Sequence, residues 1–190
     1  MPLPVRNARF LPLYPYSTVA LLRDLQTGLR YSLNSEEHTL SWDTTYQDLK
    51  DLSFVHHTVD DRFGRPVYQF EIPLLLGILE ISGLQVNIPD TVQQPSRRLD
   101  VPLDHLQFEV RLEGDGADNY WQMKAYFTAA LGEPLTCWER DDQLNAEWNS
   151  DGLIITITYW FKTASSSVES GFAALTIHNG RVFPPNVSDV

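Results

Sequence analysis

Adjacent His56 and His57, with Asp60 and Asp61 just downstream, form the densest group of metal-type ligands in the sequence. Imidazole nitrogen combined with carboxylate oxygen suits zinc or iron, and a loop could turn both rings toward one ion if Glu37 or His38 supplied a further ligand. No spacing fixes that further group. The leading expectation is therefore a solvated polar loop, and a metal-dependent hydrolase using His56, His57, Asp60 and Asp61 is the alternative. A second acidic group, Glu139, Asp141 and Asp142, ends a predicted strand. Two carboxylates at a suitable separation can work as acid and base, but hairpin tips are commonly acidic for solubility alone, so no residue is assigned a catalytic role. Cys137 is the single cysteine. It can form no disulfide within the chain and excludes a cysteine-based zinc cage. Beside Trp138, in a predicted strand, it reads as a packed small side chain. Nucleophile elbow, phosphate-cradling loop, dinucleotide fingerprint and HExxH helix are all missing, so no cofactor is expected.

Composition narrows the classes further. The formal charge is -11, from 25 acids against 14 bases. Such an excess repels phosphate backbones and anionic lipid and favours a basic partner by long-range steering, which argues against nucleic acid and membrane surfaces. The longest apolar run, Ile72 to Ile81, is broken by Pro73, Gly77 and Glu80, short of the roughly 20 residues a spanning helix needs. No secretory signal is legible near the N-terminus, and with one cysteine the expected compartment is the cytoplasm.

The elements that must hold these residues centre on Gly152 to Phe161, Gly-Leu-Ile-Ile-Thr-Ile-Thr-Tyr-Trp-Phe. Counted in twos, Leu153, Ile155, Ile157, Tyr159 and Phe161 share one face and Ile154, Thr156, Thr158 and Trp160 the other, which predicts a central strand. Around it the spacing predicts a helix over Asn119 to Leu131 with Tyr120, Met123, Phe127, Ala130 and Leu131 on one face, stopped by Gly132 and Pro134. Strands are expected at 105–112, 135–140, 144–148 and 172–178. Upstream, a proline-rich arm leads to a short helix that Ser17 could cap and Gly28 ends. A hairpin about Asn34 to Glu37 follows, then a helix over 44–52 capped by Asp43, a polar loop over 53–65, and strands at 66–72, 74–81 and 84–88. Pro89, Pro95 and Pro102 among polar residues mark a linker.

These elements define an α+β protein with antiparallel sheets packed by a few helices. The expected division is 1–90, a linker over 91–104, and 105–190, with both halves sharing one core. Ser82-Gly83-Leu84-Gln85-Val86-Asn87-Ile88 echoes Asp151-Gly152-Leu153-Ile154-Ile155-Thr156-Ile157, and Phe63-Gly64-Arg65-Pro66 echoes Leu131-Gly132-Glu133-Pro134. The echoes predict an internal duplication of a helix and β-meander unit.

Of the tryptophans, Trp148 and Trp160 are the candidate surface anchors, since large aromatics dominate contact energy. With Glu139, Asp141 and Asp142 they form the expected contact surface for another protein. In the order Tyr120 to Lys124, Leu131-Gly132-Glu133-Pro134, Trp148, then Gly152 to Ile157, the second half resembles small cytosolic bacterial immunity proteins of toxin systems. That resemblance implies a non-enzymatic protein that occludes a basic toxin, and it transfers no binding residue. Self-association through exposed strand edges, as a homodimer, is a further expectation.

Overall fold

The computed structural model of the chain describes residues 7–11, 17–60, 65–82, 85–87, 102–103, 105–110, 116–140, 142–161 and 172–180. The first half contains, in chain order, β1 (Asn7–Phe10), α1 (Ser17–Thr27), β2 (Gly28–Leu33), β3 (Glu36–Ser41), α2 (Tyr46–Lys50), β4 (Val55–Asp60), β5 (Arg65–Phe70), β6 (Leu74–Leu76), β7 (Leu79–Ser82) and β8 (Gln85–Asn87). The second contains β9 (His105–Val110), α3 (Gly116–Leu131), β10 (Thr136–Arg140), β11 (Gln143–Ser150), β12 (Leu153–Trp160) and β13 (Phe172–Asn179). All the strand pairs are antiparallel, in two five-stranded sheets ordered β1-β7-β6-β2-β3 and β10-β11-β12-β13-β9 and one three-stranded sheet ordered β4-β5-β8. The chain is of the α+β class, as its periodicities predict.

β12 is the middle strand of the second sheet, and its alternation decides which face is core. Leu153, Ile155 and Ile157 are completely buried, with Ile155 and Ile157 opposite Trp148 and Ala146 on β11 and Ile177 and Leu175 on β13. α3 closes this face with Tyr120, Met123 and Phe127, also buried. Each such aliphatic side chain contributes about 1.5–3 kcal/mol by leaving water. The turn into β12 is Asp151-Gly152, with φ of 51° and 81°, the positive pair a two-residue primed hairpin needs. Asn34 and Ser35 do the same between β2 and β3, with φ of 53° and 69°.

The two halves meet through one buried cluster that includes Leu21, Leu25 and Trp42 from the first and Phe127, Trp148 and Ile155 from the second. Asn179, at the end of β13, reaches inward. Its buried amide donates to the carbonyls of Trp42 and Leu103, at 3.0 and 3.1 Å.

Several sequence expectations are corrected. The segment 53–65 is not a loop throughout, because Val55 to Asp60 pairs residue for residue with β5, Val55 with Phe70 through to Asp60 with Arg65. The β-branched residues of the segment outweigh its polar ones. The stretch 74–81 is a hairpin rather than one strand, because Gly77 turns the chain at φ 62°. The cap of α2 is Thr45 rather than Asp43. Its hydroxyl accepts from the Asp48 amide and the Asp48 carboxylate accepts from the Thr45 amide, a reciprocal capping box. The Asp48 carboxylate also accepts from the Thr45 hydroxyl at 2.7 Å, and the backbone N–H and hydroxyl of Thr45 together hold the Asp48 carboxyl below its ordinary range, the backbone bond contributing most. The sequence echo does not mark equivalent places: β8 lies at the edge of the small sheet, whereas β12 is central in a large one. Most of the expected linker falls outside the described residues.

Candidate functional site

The end of the second sheet nearest the β10–β11 connection collects most of the residues expected to make contacts. In register across the strands, Glu139 lies opposite Leu144, which lies opposite Tyr159, while Arg140 lies opposite Gln143, which lies opposite Trp160. Asp142 sits in the turn, and its carbonyl accepts the Phe161 N–H at 2.8 Å, closing the hairpin end onto β12. Glu139, Arg140 and Asp142 are exposed and Trp160 is half-buried. Arg140 places its guanidinium 4.6 Å from the ring centre of Trp138, a cation–π contact on the face opposite α3. Asp141 lies outside the described residues.

Trp148 does not join this group. It is 2% exposed, packs 5.7 Å from the Phe127 ring, and donates its indole N–H to the Gly132 carbonyl at 2.9 Å. Its position opposite Ile155 puts it on the core face, so the reading of Trp148 as a surface anchor is corrected. Trp160, on the other face, keeps its candidacy.

Beside the hairpin, α3 leans over β10. Trp121 is 53% exposed and Leu135 is 69% exposed. Lys124 links Trp121 to the strand: its Nζ lies 5.1 Å from the Trp121 ring centre and 3.2 Å from Cys137 Sγ. Cys137 is exposed rather than packed inside. Tyr120, buried next to it, has its hydroxyl pushed up to about 12, chiefly by burial and then by the neighbouring thiol and Glu139. The helical period could have revealed Trp121, which falls one residue beyond Tyr120 and so off the apolar face.

The histidine and aspartate group is distributed differently. His56, His57 and Asp60 are in β4, while Asp61 lies outside the described residues. His56 pairs with Glu71 through its Nε2, both side chains about half-exposed or more. Among the described residues no three His, Cys, Asp or Glu side chains are grouped to hold a metal ion. Glu37 instead faces Arg30 at 3.3 Å, and His38 stacks on Tyr31 with ring centres 5.3 Å apart.

One polar cluster was not anticipated. Asp24 of α1 is completely buried, accepts from Arg30 at 2.8 Å and from the Gly77 amide at 2.7 Å, and is joined by Arg23 at 3.2 Å. Tyr126 of α3 completes it, accepting from the Ile78 amide and donating to the Leu76 carbonyl. The cluster joins α1, the β6–β7 turn and α3, and every group in it has a structural partner, so it reads as a joint between the halves. No helix among the described residues is long and apolar enough to cross a membrane.

Comparison with known proteins finds no match among curated proteins and none among solved structures. A family model does match, over residues 22–182, from α1 through the last described strand. The chain belongs to the PM0294 middle domain family.

Proposed function

We propose that the chain is a non-enzymatic protein-binding module, and that its contact surface is the hairpin end of the second sheet. The observation that carries this reading is the gathering of half-buried Trp160 and exposed Asp142 at one end of a rigid sheet, with exposed Glu139 in the neighbouring row on the opposite face. An aromatic anchor ringed by charge is the usual composition of a contact patch. The net charge of -11 favours a basic partner, and an immunity protein that neutralises a basic toxin in the cytoplasm is the specific form proposed.

Co-expression with the product of the neighbouring open reading frame, followed by titration of the purified pair, tests the reading. A salt-sensitive complex is expected. Trp160→Ala should weaken it by about 2 kcal/mol, roughly thirtyfold in Kd, with the fold intact. Asp142→Lys should weaken it further at low salt. Failure to bind or neutralise any neighbouring product would sink the proposal.

A further inference from the structure

Among the described residues β10 forms one edge of the second sheet, and its backbone shows which groups that edge presents. The Leu135 N–H donates to the Glu147 carbonyl at 2.8 Å, so that carbonyl faces β10. Thr136, Trp138 and Arg140 stand opposite Glu147, Asn145 and Gln143. By the two-residue alternation of an antiparallel ladder, their backbone groups turn toward β11 and those of Cys137 and Glu139 turn away from it. An edge of this kind is a template for another strand, commonly blunted by lysine or proline. Within β10 there is neither. Thr136, Cys137, Glu139 and Arg140 are all exposed and only Trp138 is half-buried.

We infer that a second copy of this chain pairs there, β10 against β10, about a two-fold axis through Trp138. That register sets Cys137 opposite Glu139 of the second copy, the residues whose backbone groups point outward. It sets Thr136 opposite Arg140 and brings the two Trp138 rings together on the axis. The charge pattern is self-complementary. Lys124 Nζ lies 3.2 Å from Cys137 Sγ, so the Glu139 carboxylate arriving beside Cys137 meets an ammonium, and symmetry makes the contact twice. Exposed Trp121 flanks it on the α3 side. An axis through Cys137 would set Glu139 against Leu135, where the ladder is already distorted because Leu135 and Thr136 both stand against Glu147.

Sedimentation equilibrium of the full chain, at 150 mM salt to screen the repulsion between two chains of charge -11 beyond about 8 Å, is the test. The wild type is expected at twice the chain mass in the tens of micromolar range. Glu139→Pro removes an outward N–H without touching the bonds to β11 and should give a monomer with unchanged circular dichroism. Lys124→Glu should raise the dimer Kd about tenfold, and adding Glu139→Lys should restore it, a rescue that a purely structural role would not produce. Trp160→Ala and Asp142→Lys lie off the edge and should keep the dimer, so failure here is distinct from failure of the partner proposed above. A wild type that stays monomeric at 200 µM, a dimer that survives Glu139→Pro, or a Cys137–Cys137 disulfide between copies would overturn the inference.

Discussion

The Asp24 carboxylate in α1 accepts the Gly77 N–H at 2.7 Å across 53 residues of sequence, tying the first helix to the β6–β7 turn. The same carboxylate takes both contacts of the Arg30 Nε, at 2.8 and 3.0 Å, and Arg30 in turn donates to the Gly77 carbonyl at 2.7 Å. Asp24 is completely buried, and each of its oxygens is occupied by a donor. Asp24→Ala would leave the part-buried Arg30 Nε and the buried Gly77 amide without their acceptor. The expected loss is about 3–5 kcal/mol, read as a lower urea midpoint with little change in m. Asp24→Asn keeps one acceptor for Gly77 and should cost less.

Gly77 and Tyr126 should behave as one unit. Gly77 holds φ 62°, and a Cβ there would overlap the Tyr126 hydroxyl and press on Leu21. Gly77→Ala is therefore strained twice, by backbone conformation and by the clash. Tyr126→Phe alone should cost about 1–3 kcal/mol, since it strands the Ile78 amide and the Leu76 carbonyl. In the double variant the hydroxyl that the new methyl strikes is gone. The two costs should then sum to more than the double variant loses, by about 0.5–3 kcal/mol. Additive losses in a double-mutant cycle would show that the crowding is relieved elsewhere.

Alkaline pH probes the same joint. Burial pushes the Tyr126 hydroxyl up to about 12, with nearby Asp24 adding to the rise, while the bond from the Ile78 amide pulls the other way. The folded value lies above the ordinary 10.0, so the folded state holds this proton more tightly than the unfolded chain. Its contribution is complete below about pH 10 and is lost as pH rises from there toward 12. Tyrosinate absorbance near 295 nm should show Tyr126 and Tyr120 titrating late, and Tyr126→Phe should flatten the stability loss over that window. An unchanged profile in Tyr126→Phe would contradict this assignment.

Much of this architecture is readable in the sequence, and the exceptions share a physical cause. β12, α3 and the Gly132 stop follow from local periodicity and punctuation, because each is decided within a dozen residues. Trp148 and Asp24 were not placed because both depend on distant partners: the Gly132 carbonyl for one, Arg30 and Gly77 for the other. The polar residues of β4 hid a strand that exists through pairing with β5. The two large sheets share part of a connectivity, not where the sequence echoes point, and then diverge, since β6 pairs with β2 but β12 with β11. Each begins with a strand, β1 or β9, crosses by a helix, α1 or α3, and ends with a strand antiparallel to the first, β7 or β13. At the contact surface, Glu139, Asp142 and Trp160 were named from residue type. Their nearness at one sheet end is a matter of register, set by the β10–β11 connection and the Asp151-Gly152 turn, and alternation turns Glu139 to the face opposite Trp160.

Trp148 and Trp160 separate core from surface on neighbouring strands. Trp148 fills space against Phe127 and caps the Gly132 carbonyl, so Trp148→Ala opens a cavity beneath α3 and should cost about 3–5 kcal/mol. Trp148→Phe keeps most of the volume but abandons that carbonyl, and should cost about 1–3 kcal/mol. Trp160 stands opposite Gln143 and Phe172, on the face away from Leu153, Ile155 and Ile157. Half-buried there, it has a smaller cavity to leave, and Trp160→Ala should cost at least about 2 kcal/mol less than Trp148→Ala. Thermal unfolding of the three variants decides the order. If Trp160→Ala proved as damaging as Trp148→Ala, Trp160 would belong to a second core, and the hairpin end would lose its aromatic anchor as a contact surface.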